Sequence, residues 1–313
     1  MIAQTNELEW TLPPDLAGHL VDDRRPFAQR RLTRVYEDAY EVPFDNASRV
    51  VFFSDCHRGD RSGADAFVQN EAVFTHALTH YYQHGFTYIE VGDGDELWQN
   101  RRASDVIRAY RRIYDLLHTF DADERLHLIV GNHDVQQRPL NRVEKEGLVA
   151  REGLILRHVQ TGQQLFVFHG HQVDSYSEQL RLVGRTMARS WRRIQDMGVR
   201  NDAVWMGTSR KWRAMRGGVS RYQQMRTHNI ERQIMAWAQT DRRTVICAHT
   251  HQAAFPTGGT PSYFNTGSCV RPGGITGIEI SDGEIRLVKW SDGEGRYPRR
   301  ELVAASRALG TLN

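Results

Sequence analysis

The stretch "VVFFSDCHRGD" (residues 50–60) decides how the rest of this sequence reads. Four apolar residues run directly into Ser54, Asp55, Cys56 and His57. A strand alternates its faces, so residues two apart point the same way. Asp55 and His57 can therefore reach one common point at the strand's carboxyl end, with Cys56 turned to the other face as a packing residue. Taken alone, the segment fits a polar loop after a core strand equally well.

Four further apolar runs end in the same manner: "FTYIEVGDGDE" (86–96), "LHLIVGNHD" (126–134), "QLFVFHGH" (164–171) and "RTVICAHTH" (243–251). Helical periodicity separates the first three, over about 64–84 and 100–119. Strand and helix in that rhythm predict an α/β sheet. Ligands of open α/β sheets sit beyond the carboxyl ends of the strands, and the five polar tips are expected together there, on one edge of one sheet. They gather Asp55, His57, Asp93, Asn132, His133, Asp134, His169, His171, His249 and His251. Mixed oxygen and nitrogen donors suit Mn, Fe or Zn and are too nitrogen-rich for calcium. The donors exceed what one ion uses, and the Asp93 carboxylate could bridge two. A lone histidine at a strand end is usually an ordinary residue, and "GNHD" alone could be a tight turn. The ordered series of five is what points to a metal centre.

The chain has 313 residues, 25% charged and 40% hydrophobic, which is the composition of a soluble globular protein. No run is apolar for long enough to span a bilayer, and the start lacks the basic-then-apolar pattern of a secretory signal. Three cysteines without short spacing predict reduced thiols in a cytoplasmic protein. The net charge of +3 is unevenly spread: residues 176–243 hold 15 Lys/Arg against 5 Asp/Glu, and the remainder is acidic. Such asymmetry suggests an acidic partner for the basic part. Within that part, Tyr176, Leu180, Val183, Met187, Trp191 and Ile194 predict one amphipathic helix, and Val219 to Trp237 another. Near the end, "GITGIEISDGEIRLVKW" predicts a hairpin turning at Asp282-Gly283.

The series D-x-H, G-D, G-N-H-D, H, H-x-H resembles the calcineurin-like metallophosphoesterase family from about Arg49 to Trp290. The resemblance implies a four-layer α/β/β/α sandwich with a two-metal site. Asp55, His57 and His251 would hold one ion, Asn132, His169 and His249 the other, and Asp93 would bridge. His133 would lie beside the scissile phosphate, oriented by Asp134. Within the family, Gly92, Asp93, Glu96, Trp98 and the "NTGS" at 265–268 look most like UDP-2,3-diacylglucosamine pyrophosphatase and its relatives. Two departures stand out: Ala248 replaces the glycine of "GHTH", and "HGH" at 169–171 replaces "HGD", which leaves the role of His171 open.

The expected reaction is therefore hydrolysis of a phosphate ester or pyrophosphate by in-line attack of a hydroxide shared between two divalent ions, Mn first with Fe or Zn open. His133 is the candidate acid or phosphate hydrogen-bond donor. Arg58 could bind a phosphate oxygen, an ordinary loop arginine being an equal reading. Asp95 and Glu96 are expected to support the site rather than bind metal. The domains expected are an N-terminal extension with a helix (1–48), the phosphoesterase domain (49–290) with a helical cap insertion (176–239), and a tail (291–313). The cap's arginines would meet a phosphorylated small-molecule or lipid-linked substrate, and its tryptophans, Trp191, Trp205, Trp212 and Trp237, either line a groove or pack the cap itself. Peripheral contact with the inner membrane face is open through the same basic segment. The alternatives are a nuclease or cyclic-nucleotide phosphodiesterase, although no nucleic-acid-binding module is recognisable, and a non-catalytic scaffold on the same fold, which would be expected to have lost ligands.

Overall fold

Val50, Val51, Phe52 and Phe53 are all buried, which requires a covering layer on each face of their strand. The computed structural model describes residues 26–135, 142–174, 186, 210–256, 263–293, 297–304 and 307–311. Its helices are α1 (Phe27–Glu37), α2 (Glu71–Gln83), α3 (Ala103–Ala109), α4 (Arg111–Ala122) and α5 (Arg210–Thr240). Its first strands are β1 (Tyr40–Phe44), β2 (Val50–Phe53), β3 (Thr87–Val91), β4 (Leu126–Ile129), β5 (Arg142–Lys145), β6 (Leu148–Arg151) and β7 (Gly153–His158). They are followed by β8 (Gln164–Phe168), β9 (Thr244–Cys247), β10 (Tyr263–Asn265), β11 (Ile275–Ser281), β12 (Glu284–Ser291), β13 (Arg299–Leu302) and β14 (Arg307–Ala308).

Two sheets form. One runs β1-β7-β8-β9-β10; the other runs β13-β12-β11-β2-β3-β4-β6-β5, with β14 on β12. The alternation of each strand assigns its residues to layers. Along β2, Val50 and Phe52 face the other sheet, where they meet Leu154, Leu165, Val167 and Ile246. Val51 and Phe53 face outward, beside Tyr88 of β3 and onto Phe74 and Tyr81 of α2. Along β8, Phe166 and Phe168 face the opposite outer layer with Leu32, Val35, Ile230 and Trp237 of α1 and α5. The order of layers is thus helices, sheet, sheet, helices, the expected α/β/β/α sandwich.

Several details differ from the sequence reading. The five polar tips do not share one sheet: β2, β3 and β4 are parallel neighbours in the larger sheet, and β8 and β9 in the smaller. Their carboxyl ends meet at one edge of the sandwich. Within the expected N-terminal extension, β1 is the edge strand on β7 and α1 lies over the smaller sheet. In the tail, β13 and β14 pair with β12. The hairpin at Asp282-Gly283 forms as expected, with φ of 54° and 72° at the two turn residues, the left-handed pair that a tight two-residue loop requires.

The end of the basic segment is also corrected. Ile230, Ile234 and Trp237 are buried in the outer layer rather than over a site mouth. The reason is their spacing, which places one apolar stripe of α5 on Phe166, Val245 and Cys247. Trp237 packs edge-on to Tyr36 and donates from Nε1 to Thr33 Oγ1 (3.0 Å). The expected helix at 176–194, and with it Trp191 and Trp205, falls outside the described residues apart from Thr186. Trp237→Ala should therefore cost about 3–5 kcal/mol in chemical denaturation, as for a buried aromatic in a core. A loss below 1 kcal/mol would return this part of α5 to a peripheral cap.

Candidate metal centre

Three of the five strand tips, those after β2, β3 and β9, deliver their polar residues through a bent backbone. Asp55, His57, Asp93, His249 and His251 all have positive φ, between 47° and 70°. Non-glycine residues avoid this region, and such strain gathers where the surrounding structure fixes a functional geometry. The tips also bond to one another: Asp55 N donates to Gly92 O (3.0 Å), His57 N to Asp93 O (2.8 Å) and His249 N to Asp55 Oδ2 (3.2 Å). Glycine is obligatory at Gly131, where a Cβ would stand 2.2 Å from the Asp93 nitrogen.

Three overlapping trios of donors result, one of them made by His57, Asp93 and His133. Ligand atoms of Asp55, His57 and His251 lie within 4.8 Å of one another, as do those of Asp93, His169 and His249. Asp93 stands between them. Its Oδ2 is 3.7 Å from His57 Nε2 and 3.5 Å from His169 Nε2. Its Oδ1 accepts from the His133 backbone nitrogen (2.7 Å). His57 Nε2 faces His251 Nε2 at 3.2 Å, and His251 Nε2 is 3.2 Å from Asp55 Oδ1.

Three atoms at this edge, Asp55 Oδ1, Asn132 Oδ1 and His169 Nε2, are buried with no hydrogen-bond partner. An unsatisfied buried polar atom costs about 1–3 kcal/mol, and three on separate strand tips fit a cation better than a packing fault. The donors, carboxylate, carboxamide and imidazole, match a borderline divalent ion. Burial alone would raise the Asp55 carboxyl, but the imidazoles of His251, His169 and His57 outweigh it and hold it well below the usual range. Burial likewise opposes charge on His57, and Asp55, Glu96 and Asp93 overcome it, raising that imidazole well above its ordinary value.

Three of the imidazoles are steered by a partner on the other ring nitrogen, which fixes the nitrogen left for a ligand. His57 Nδ1 is 3.1 Å from Glu96 Oε2. His249 Nε2 is 3.1 Å from Asp174 Oδ2, which also pairs with Arg226 of α5. His169 Nδ1 is 3.1 Å from His171 Nδ1. Burial and the nearby His169 push His171 well below the usual imidazole range. The two imidazoles of "HGH" thus touch one another.

His133 is positioned by residues other than the one expected. Its Nδ1 is 2.9 Å from Glu96 Oε1, and its ring stacks on Trp98 at 4.2 Å. Trp98 Nε1 donates to Asn132 O (2.6 Å). Asp134, expected to orient His133, instead accepts from the backbone nitrogens of Asp93 (2.8 Å), Asp95 (2.9 Å) and Gly131 (2.7 Å), and from Lys145 Nζ. It holds the Asp93 loop in place. Asn265 braces the last tip by donating to Ala248 O (2.9 Å) and Thr250 Oγ1 (3.1 Å).

Arg58 is corrected outright. It is 1% exposed, bonded through both terminal nitrogens to Glu90 (2.7 and 2.8 Å) and through Nε to Asp95 (2.9 Å). A guanidinium so enclosed offers nothing to a phosphate. Sequence reading also missed Asp174, Arg226 and Lys145, whose partners are remote in the chain. Arg58→Met leaves Glu90 without its counter-charge and Asp95 with Lys145 alone, and should cost roughly 3–5 kcal/mol, measured by denaturation. The KM of any phosphoester turned over by the folded fraction should stay unchanged; a raised KM with unaltered stability would restore Arg58 as a substrate ligand.

No family model matches this sequence, and no curated protein does. Among solved structures, the chain is similar to Yfce, a phosphoesterase from E. coli, at 11% identity and a TM-score of 0.39, covering 83% of this chain and 99% of that one. It is similar to a predicted phosphoesterase from Streptococcus pneumoniae TIGR4 at 12% identity and a TM-score of 0.33, over 82% and 97% of the two chains. It is similar to Chaetomium thermophilum Vps29 at 10% identity and a TM-score of 0.41, over 84% and 99%. Likeness at this level assigns neither substrate nor activity. Among the described residues no helix is long and apolar enough to cross a membrane.

Proposed function

We propose that the protein is a metal-dependent phosphoester hydrolase of the calcineurin-like kind. One ion would be held by Asp55, His57 and His251, and a second by Asn132, His169 and His249, with Asp93 shared. Mn is the first candidate, ahead of Fe and Zn. The observation that carries this reading is the clustering of the donor atoms of Asp55, His57, Asp93, His169, His249 and His251 in overlapping trios, with Asp55 Oδ1 and His169 Nε2 buried and left without a hydrogen bond. When bound, such ions bring water close to deprotonation at neutral pH and neutralise charge on a phosphoryl group.

The chain's own residues account for the rest of the chemistry. Glu96 accepts from both His57 and His133, so one carboxylate ties the metal edge to the candidate acid. With Nδ1 committed to Glu96, His133 has Nε2 left to donate to a phosphoryl oxygen or to the departing ester oxygen. Stacking on Trp98 holds the ring at that angle and keeps solvent from one face. The finer likeness, to UDP-2,3-diacylglucosamine pyrophosphatases and a lipid-linked substrate, rests on Glu96, Trp98 and Asn265. The jobs those residues have here, aiming His133 and bracing the last tip, would serve any phosphoester.

In Mn-loaded protein assayed with a chromogenic phosphodiester, His133→Ala should lower turnover by about 10²–10⁴-fold, the usual range for general acid–base help, with metal content retained. Asp93→Ala should lose metal as well as activity. If His133→Ala also strips the metal, His133 is a ligand and the proposed division of roles fails.

A further inference from the structure

A cavity of about 950 Å³ lies where β1, the edge strand of the smaller sheet, passes β4 and β6 of the larger. None of its lining residues belongs to the donor trios. Strand alternation gives it two apolar walls. Val42, Phe44, Leu154 and Leu156 line one, and Ile129 and Val149 the other. At one end stands Arg151, two positions beyond Val149 on β6 and in register with Ile129 of β4. Its guanidinium lies over the Tyr40 ring, 4.7 Å from the centroid. Among the described residues the Arg151 side chain forms no ion pair and no hydrogen bond. His127 lines the same end, its ring 6.4 Å from that of Tyr40. Burial and the Arg151 charge hold His127 below the ordinary imidazole value, so at neutral pH the charge here is that of Arg151. The acids that line the cavity, Asp121 and Glu124, precede β4 and lie at its opposite end, where Arg49 precedes β2.

Size, wall chemistry and charge together restrict the occupant. The volume falls within the roughly 300–1,000 Å³ of small-molecule sites, which are mostly apolar with a few placed polar groups. A half-buried guanidinium with no acceptor is costly. Stacking on Tyr40 takes up one face of the guanidinium and leaves its N–H edge, the edge that meets a carboxylate bidentately. One guanidinium matches one negative charge, whereas a phosphate monoester would bring nearly two. We infer that this cavity binds a small amphipathic carboxylate of the fatty-acid class, with its head on Arg151 and its chain between the two apolar walls. The site is separate from the candidate metal centre and stands whether or not the hydrolase reading does.

The test is calorimetric titration of the full-length protein with dodecanoate, below its micelle threshold, and with four analogues. Dodecanoate should bind at one per chain. Dodecanol and dodecyltrimethylammonium, which lack the negative head, should bind about ten-fold or more weakly, the scale of a hydrogen bond to a charged group. Butanoate, which lacks most of the chain, should bind at least as much more weakly, and dodecyl phosphate no more tightly than dodecanoate. Arg151→Gln should remove the preference for dodecanoate over dodecanol, and Arg151→Lys, which keeps the charge, should retain part of it. Val149→Trp fills the space between the walls and should weaken dodecanoate and dodecanol together. Near-ultraviolet circular dichroism checks that each variant is folded, and the Arg151 pair decides the question if Val149→Trp is not. Dodecanol as tight as dodecanoate, a tighter ammonium or phosphate, a preference that survives Arg151→Gln, dodecanoate binding unmoved in folded Val149→Trp, or no binding at all overturns the inference.

Discussion

The arrangement depends on two buried carboxylates, Asp55 and Asp93, that pair with no lysine or arginine among the described residues. Both are 1% exposed or less. The nearby buried cations are committed elsewhere: Arg58 to Glu90 and Asp95, and Lys145 to Asp95 and Asp134. Among the described residues, imidazoles are what face the two carboxylates. Burying charge without compensation is expensive, and a protein spends stability in that way where a cation is to be bound.

The surrounding residues follow from the need to keep those carboxylates fixed. Asp134 gathers three backbone nitrogens of the "GDGD" and "GNHD" turns, so Asp93 and Asn132 move as one unit. Ser54 joins the first strand to the "NTGS" turn through Thr266 Oγ1 (2.6 Å) and donates to Asp55 Oδ2 (2.6 Å). Left-handed backbone at five donor positions is tolerable only under such bracing. The contact of Arg226 with Asp174, and of Asp174 with His249, carries the same bracing into the outer helix α5.

Much of this was legible in the sequence because it is local. Apolar runs ending in Asp, His and Asn report both the strand and its functional end, and alternation predicts that Asp55 and His57 point together. What was not legible depends on pairing between distant segments. Nothing in "QLFVFHGH" says that β8 joins a different sheet from β2, because hydrogen-bonded neighbours are set by the whole topology. Arg58 looks like a loop arginine until Glu90, 32 residues on, closes over it. Asp134 directly follows His133 and so invited the orienting role. Glu96, 37 residues away, holds it because the turn points Asp134 inward to the amides. The short edge strands β1 and β5 are too brief and too polar to announce themselves by periodicity.

The most direct test of the central claim, that one carboxylate joins two cation sites, is a Mn titration of the metal-stripped protein followed by electron paramagnetic resonance. Filling of two sites per chain with an exchange-coupled signal that grows in at the second equivalent is the predicted result. A single equivalent with an isolated six-line Mn spectrum, or no binding, would contradict it.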